Sequence, residues 1–166
     1  KQQLVEAPIL ALPDFSKTFI VETDASDKGI GAVLQQGGHP IAYMSKALSP
    51  WYQGLSTYEK EYLAVIVTVD QWRPYLQHDE FIISTDQRSL VHLNEQRLTT
   101  PWQQKAFTKL LGPRFSIRYK KGSDNTATDA LSRANTTEIL HAVGSCQPAW
   151  LDDVINSYNS NPQAQH

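Results

Sequence analysis

The sequence predicts an α/β domain whose elements run βββαβααβ and close with a short final helix, and three observations carry that reading. Three strand-like runs crowd into the first 45 residues, one long helical stripe follows, and strands then alternate with helices as far as residue 133.

After a leading segment punctuated by Pro8 and Pro13, residues 18–23 are rich in Phe, Ile, Val and Thr with weak alternation, and residues 29–35 form a second strand-like run. Gln36-Gly37-Gly38-His39 is a turn signal, and residues 41–45 make a third run, so the start of the chain reads as an antiparallel meander. Tyr58, Tyr62, Val65, Ile66, Val69, Trp72 and Leu76 then recur every three or four residues and define a long central helix. Ser56 and Glu59 match a capping box at its start, while Pro74 weakens its last turn without preventing it. Residues 81–85 read as a fourth strand, 87–94 as a short helix, 101–111 as a helix opened by Pro101, 115–119 as a fifth strand and 126–133 as the last helix. Beyond Ala134 the composition turns polar, with helical spacing only at Trp150, Val154 and Tyr158.

The bulk numbers narrow the chemistry. With 166 residues and 40% hydrophobic content the chain can bury one core. Cys146 stands alone, which removes disulfides and thiolate clusters, and the histidines at 39, 78, 92, 141 and 166 show no short metal-ligand spacing, so any metal is expected on oxygen ligands. With no apolar run of membrane-spanning length and no signal-peptide pattern, the chain reads as soluble and intracellular, and its start at Lys1 reads as a piece of something larger. The net charge of -2 hides an asymmetry: residues 88–121 hold eight bases and one acid, net +7, whereas the remainder carries -9. A basic face beside an acidic cluster suits a metal-dependent nuclease, and on charge alone it suits a solvated helix face equally well.

Four acids are candidates for chemistry. Glu61, three residues after Tyr58 and four before Val65, lies on or beside the buried stripe, where a carboxylate is costly unless something positive pairs with it. Glu59 has a capping job; Glu61 has none. Asp24 and Asp86 each end a β-rich run after a Thr, and Asp129 lies in the last helix. Either strand-end acid taken singly is a turn or cap residue. If the two strands lie side by side, however, both carboxylates emerge at one sheet edge, where Glu61 can join them from a helix packed across the sheet. Clustered carboxylates persist when divalent cations sit among them, and hard oxygen ligands suit Mg²⁺ or Mn²⁺. Two such ions define phosphodiester hydrolysis as the reaction class without specifying the nucleic acid cut.

Four strings, in order, carry a resemblance: Phe19-Ile20-Val21-Glu22-Thr23-Asp24-Ala25-Ser26 with Gly29 to Leu34, then Tyr58-Glu59-Lys60-Glu61-Tyr62-Leu63-Ala64, then Ser84-Thr85-Asp86, then Asn125-Thr126-Ala127-Thr128-Asp129-Ala130-Leu131-Ser132-Arg133. Over residues 8–134 the chain resembles the ribonuclease H domain of gypsy-class, Metaviridae-like long-terminal-repeat retrotransposon polyproteins. The resemblance implies a ribonuclease H-like fold with a mixed five-stranded sheet flanked by helices. It also implies a site of Asp24, Glu61, Asp86 and Asp129 that holds two Mg²⁺ or Mn²⁺ ions and cuts the RNA strand of RNA/DNA hybrids, leaving 3′-hydroxyl and 5′-phosphate ends. In that family the first Asp bridges both metals, the Glu approaches the RNA 2′-hydroxyl, and the other acids complete the shells.

Retroviral and cellular relatives carry a mobile His upstream of the last acid where this chain has Tyr119, which with its pKa of about 10 is a poor proton carrier near neutrality. Tyr119 either positions water or ends the fifth strand; Tyr119 and Asn125 are the auxiliary candidates. The basic protruding helix of some cellular relatives is missing, leaving Arg88, Arg97, Lys105, Lys120 and Lys121 as candidates for contacting the hybrid. The expected division is a leading segment 1–16 from the polymerase side, a ribonuclease H domain at 17–134 and a linker or tail at 135–166, with a reverse transcriptase upstream, integrase downstream, no membrane, and a cytoplasmic virus-like particle as the setting. The alternative is a non-catalytic ribonuclease H-like connection module of a reverse transcriptase, which needs the fold but not the acids. A different nuclease or an integrase on the same fold is a third reading.

Overall fold

A computed structural model describes residues 10–95, 100–124 and 126–133. Strands β1 (Ile20–Ala25), β2 (Gly29–Gln36) and β3 (His39–Ala47) form the expected meander. Gly37 and Gly38, at φ +56° and +80°, supply the left-handed backbone that a two-residue reversal requires. A short helix α1 (Pro50–Gln53) leads into α2 (Thr57–Gln71), then α3 (Arg73–Leu76), β4 (Phe81–Thr85), α4 (Pro101–Phe107), β5 (Phe115–Tyr119) and α5 (Thr126–Arg133).

The sheet order is β3-β2-β1-β4-β5, with β1–β2 and β2–β3 antiparallel and β1–β4 and β4–β5 parallel, so the sheet is mixed and five-stranded. Alternation along the strands sends Val21, Ala32 and Leu34 to one face, where they join Tyr62, Val65, Ile66 and Val69 of α2 in the main core. Trp102 of α4 meets Tyr62 edge to face at 5.7 Å, and the Tyr62 hydroxyl donates to the Gln103 carbonyl at 2.8 Å, which satisfies a buried donor. The opposite face carries Asp24, Gly31 and Ser45, a single row set by the pairing Asp24↔Gly31 and Gly31↔Ser45.

Helix α5 lies on that second face because the row dips at its centre. A Cβ on Gly31 would stand 2.2 Å from the Thr128 carbonyl oxygen and 2.5 Å from the Ser132 nitrogen, so the helix backbone rests directly on the strand. Hydroxyls of Ser45 and Ser26 donate to the Leu131 and Ser132 carbonyls at 2.7 and 2.6 Å, capping the last turn of α5. Part of the leading segment is also fastened: the Gln36 side chain bonds the Asp14 amide and the Asp14 and Lys17 carbonyls, and Ala11 donates to the Pro40 carbonyl.

The elements depart from the sequence reading where local rules compete. The central helix does not run unbroken to Leu76: α2 ends at Gln71, Trp72 takes φ -102° and ψ 17°, and Pro74 sits in the first turn of α3, because proline has no amide for the α2 ladder. The segment expected as a helix at 87–94 is 3₁₀ over Arg88–Glu95 with a kink at His92, and the 101–111 helix tightens to 3₁₀ over Thr108–Leu110. Helix α1 is too short to leave a period in the sequence. The tail signals at Trp150, Val154 and Tyr158, with Arg97 and Asn125, lie outside the described residues.

Candidate metal centre

Strand β1 places Asp24 as its penultimate residue and Asp86 follows the last residue of β4. The parallel register runs Ile20↔Ile82, Val21↔Ile83 and Glu22↔Ser84, so each acid stands two residues beyond the last paired residue of its strand. Both acids thus stand at the carboxyl ends of adjacent parallel strands, just past the point where β1 and β4 stop pairing with each other, and open α/β sheets take ligands at such ends. Glu61 joins them from α2: its Oε1 accepts the Ala25 amide at 2.9 Å, across the end of β1. The rotational setting of Glu61 follows from the helix start, where the Glu59 amide bonds the Ser56 hydroxyl and Glu59 Oε2 accepts the Ser56 amide at 3.0 Å. Lys60, beside Glu61, pairs with Asp27 at 2.9 Å and ties α2 to the β1–β2 turn.

Asp24, Glu61 and Asp86 each offer a carboxylate oxygen, and these oxygens lie within 4.8 Å of one another. Asp24 is 9% exposed and Glu61 3%. Burial pushes the Glu61 carboxyl up to about 8, with repulsion from Asp24 and Asp86 adding to it and the Ala25 amide opposing it. Burial likewise raises Asp24, the Ser132 hydroxyl works against that rise, and the charges of Asp86 and Asp129 reinforce it. Glu61 Oε2 is buried with no hydrogen-bond partner. An orphaned carboxylate oxygen inside a group of mutually repelling acids fits a divalent cation, and all three donors are hard oxygens. Asp24, Glu61 and Asp86 would hold such an ion.

Asp129 is near but not within this group. It lies on α5, near enough for its charge to bear on Asp24, and its Oδ1 accepts from Arg133 Nε at 2.6 Å on the exposed side of the helix. Tyr119, 42% exposed, ends β5 with the Arg88 guanidinium 4.7 Å over its ring, so both residues are engaged with each other. Lys120 Nζ pairs with Glu22 Oε1 at 2.5 Å, while Lys105 and Lys121 are exposed. Two participants escaped the sequence reading. Gly31 is the contact that admits α5, and Ser132, 1% exposed, donates from Oγ to Asp24 Oδ2 at 2.6 Å. The spacing from Asp129 to Ser132, three residues on one helix, is the signal that would have found the serine.

Residues 14–112 match the family described as RNase H-like domain found in reverse transcriptase, and the chain belongs to that family. That span contains Asp24, Glu61 and Asp86 but not Asp129. A retrovirus-related Pol polyprotein from transposon 297 of Drosophila melanogaster is 37% identical over 142 residues, covering 86% of this chain and 13% of that polyprotein. The transposon Tf2-3 polyprotein of Schizosaccharomyces pombe is 38% identical over 172 aligned residues, covering 96% of this chain and 12% of its own length. The chain therefore spans 12–13% of these relatives, which are long-terminal-repeat retrotransposon polyproteins as the resemblance implied. LC11-RNase H1, solved in complex with an RNA/DNA hybrid, shares the fold at a TM-score of 0.57 and 17% identity, over 69% of this chain and 93% of that one. No described helix is long and apolar enough to cross a membrane.

Proposed function

We propose that this domain hydrolyses the RNA strand of RNA/DNA hybrids during retrotransposon reverse transcription, using two Mg²⁺ or Mn²⁺ ions and leaving 3′-hydroxyl and 5′-phosphate ends. The observation that carries this reading is the convergence of Asp24, Glu61 and Asp86 within 4.8 Å, with the buried Glu61 Oε2 left without a partner. Burial makes the charges of Asp24 and Glu61 unfavourable, and a cation shared with Asp86 would offset that cost.

Asp24, Glu61 and Asp86 bind the ions, and Asp129 completes the set from α5. Bound divalent ions would favour deprotonation of an attacking water and offset charge on the leaving oxygen of an in-line phosphoryl displacement. Glu61 is held by the Ala25 amide at one oxygen. Exposed Lys105 and Lys121 are the bases assigned to the hybrid's phosphates, with Arg88, which lies over the Tyr119 ring, and Lys120, which pairs with Glu22, as bases that would have to exchange partners to join them. Residues 17–134 form the catalytic domain, 1–16 approach it from a polymerase domain, and 135–166 lead towards an integrase, all inside a cytoplasmic virus-like particle. The fold of the hybrid-bound LC11-RNase H1 and the Pol polyprotein relatives support this assignment.

The test is cleavage of an end-labelled RNA/DNA hybrid with Mg²⁺ or Mn²⁺, beside duplex DNA and single-stranded RNA. Loss of only the hybrid's RNA strand, abolished by chelator, is the expected result. Asp86→Asn is expected to lower cleavage by roughly 10³-fold or more while the melting temperature holds, because it removes a ligand charge and keeps the shape. A folded, hybrid-binding protein that cleaves nothing would leave the non-catalytic connection module as the better reading.

A further inference from the structure

The polar face of the sheet holds one buried hydroxyl that neither the fold's capping nor the carboxylate set explains. Ser132 is 1% exposed, and its Oγ stands 2.6 Å from Asp24 Oδ2 and 2.9 Å from the Asp129 carbonyl oxygen. A hydroxyl has one proton, and the shorter contact to a carboxylate oxygen is the stronger acceptor. The Ser132 carbonyl is separately taken by Ser26, and the neighbouring Leu131 carbonyl by Ser45. Ser26, Ser45 and the bare backbone of Gly31 thus dock α5 by contacts that do not use the Ser132 hydroxyl, whose shorter contact is to Asp24.

We propose that Ser132 is a positioning residue for Asp24: its hydroxyl holds one carboxylate oxygen and so fixes the plane of the group, presenting Asp24 to cations shared with Glu61 and Asp86. The inference rests on the metal-centre reading above. Its physical basis is that ligand carboxylates need an outer donor to keep their orientation, since a short acid side chain on a strand end otherwise turns freely about its last bond. Position matters as well as chemistry. Ser132 follows Asp129 by three residues, so the turn of helix that brings the fourth acid near also delivers the donor that sets the first. Glu61 has the equivalent provision in the Ala25 amide, which holds Oε1 and leaves Oε2 open.

The experiment titrates Mn²⁺ alone into the whole chain without nucleic acid, with free Mn²⁺ followed by electron paramagnetic resonance. Wild type, Ser132→Ala, Ser132→Thr and Ser26→Ala are compared, and thermal melts are recorded for each. Ser132→Ala is expected to weaken Mn²⁺ binding by about 10-fold. Ser132→Thr keeps the donor and should bind as wild type does. Ser26→Ala removes a docking bond of α5 without touching Asp24; it should lower the melting temperature and leave Mn²⁺ affinity unchanged. Wild-type affinity in Ser132→Ala overturns the positioning role and leaves the metal centre standing, as does a threonine variant as impaired as the alanine one. A wild-type chain that binds no Mn²⁺ overturns the metal-centre reading itself, and this inference with it.

Discussion

The two faces of the sheet are built on opposite rules. On one, Val21, Ala32 and Leu34 pack against Tyr62, Val65, Ile66 and Val69 of α2 in a buried apolar layer. On the other, Asp24, Gly31 and Ser45 meet the last turns of α5 through hydroxyls and bare backbone. The first face supplies non-directional burial, which tolerates repacking and scales with area. The second supplies directional bonds to particular atoms, which tolerate almost nothing and contribute little area. Stability and site geometry are thus separable in this molecule, and they join only at the carboxyl ends of β1 and β4, where Glu61 crosses from one layer to the other.

Substitutions can break that separation in order of expected effect. Ile66→Ala, in the apolar layer, should cost about 2–5 kcal/mol in urea unfolding. Cleavage per folded molecule should be unchanged, and a loss of activity beyond the loss of folded protein would show the layers to be coupled. Gly31→Ala, on the polar face, forces α5 off the strand because the new methyl meets backbone at 2.2 Å. It should cost roughly 1–3 kcal/mol and also lower cleavage per folded molecule.

Glu61→Gln tests the junction through pH. The Glu61 carboxyl is raised from 4.5 to about 8 in the fold, so the folded chain holds a proton that the unfolded chain has released. In chelator, native stability therefore falls as pH rises from about 4.5 to about 8, and the contribution is intact only below that window. Glu61→Gln should remove this slope, stabilising the metal-free protein by roughly 1–3 kcal/mol at pH 8 while abolishing cleavage. Asp24, shifted in the same direction, leaves a residual slope. Equal stability of variant and wild type at pH 8 would mean that Glu61 is not desolvated as its surroundings indicate. Tyr119→His, outside both layers, should change cleavage only a few-fold and alter its pH profile. A folded but inactive variant would give the Tyr119–Arg88 pair a role in the reaction.

Much of this was legible in the sequence where ends are marked by strong local chemistry. The β4 strand, β5 strand and α5 helix fall where apolar runs and turn residues put them, and the capping box at Ser56 places the start of α2 and hence the facing of Glu61. Asp24 and Asp86 were candidates because both end similar strand runs, but their adjacency depended on β1 and β4 pairing, a contact 62 residues apart that no periodicity encodes. Lys120 reads as a candidate hybrid contact, and its pairing with Glu22 is not visible in the sequence; Ser132 reads as part of a motif, and its contact with Asp24 spans 108 residues. The break at Trp72 is half visible in the sequence, because Pro74 marks a weak point in the stripe but not that a new helical turn starts there.

The sheet order has a consequence in time. The meander β3-β2-β1 and helix α2 use contacts between neighbours in the chain, whereas β4, β5 and α5 must each close a long loop to reach β1 or its partner. Such non-local closures are the slow steps of folding. Asp24, Glu61 and Asp86 come together as the apolar layer forms from β1, α2 and β4, whereas α5, which carries Asp129 and Ser132, lies furthest along the described chain and docks on a completed β2. On the proposed metal reading, the cation site would be built in two stages, three acids first and Asp129 with the Ser132 donor second, so full metal affinity would report the docking of α5 rather than the closing of the apolar layer.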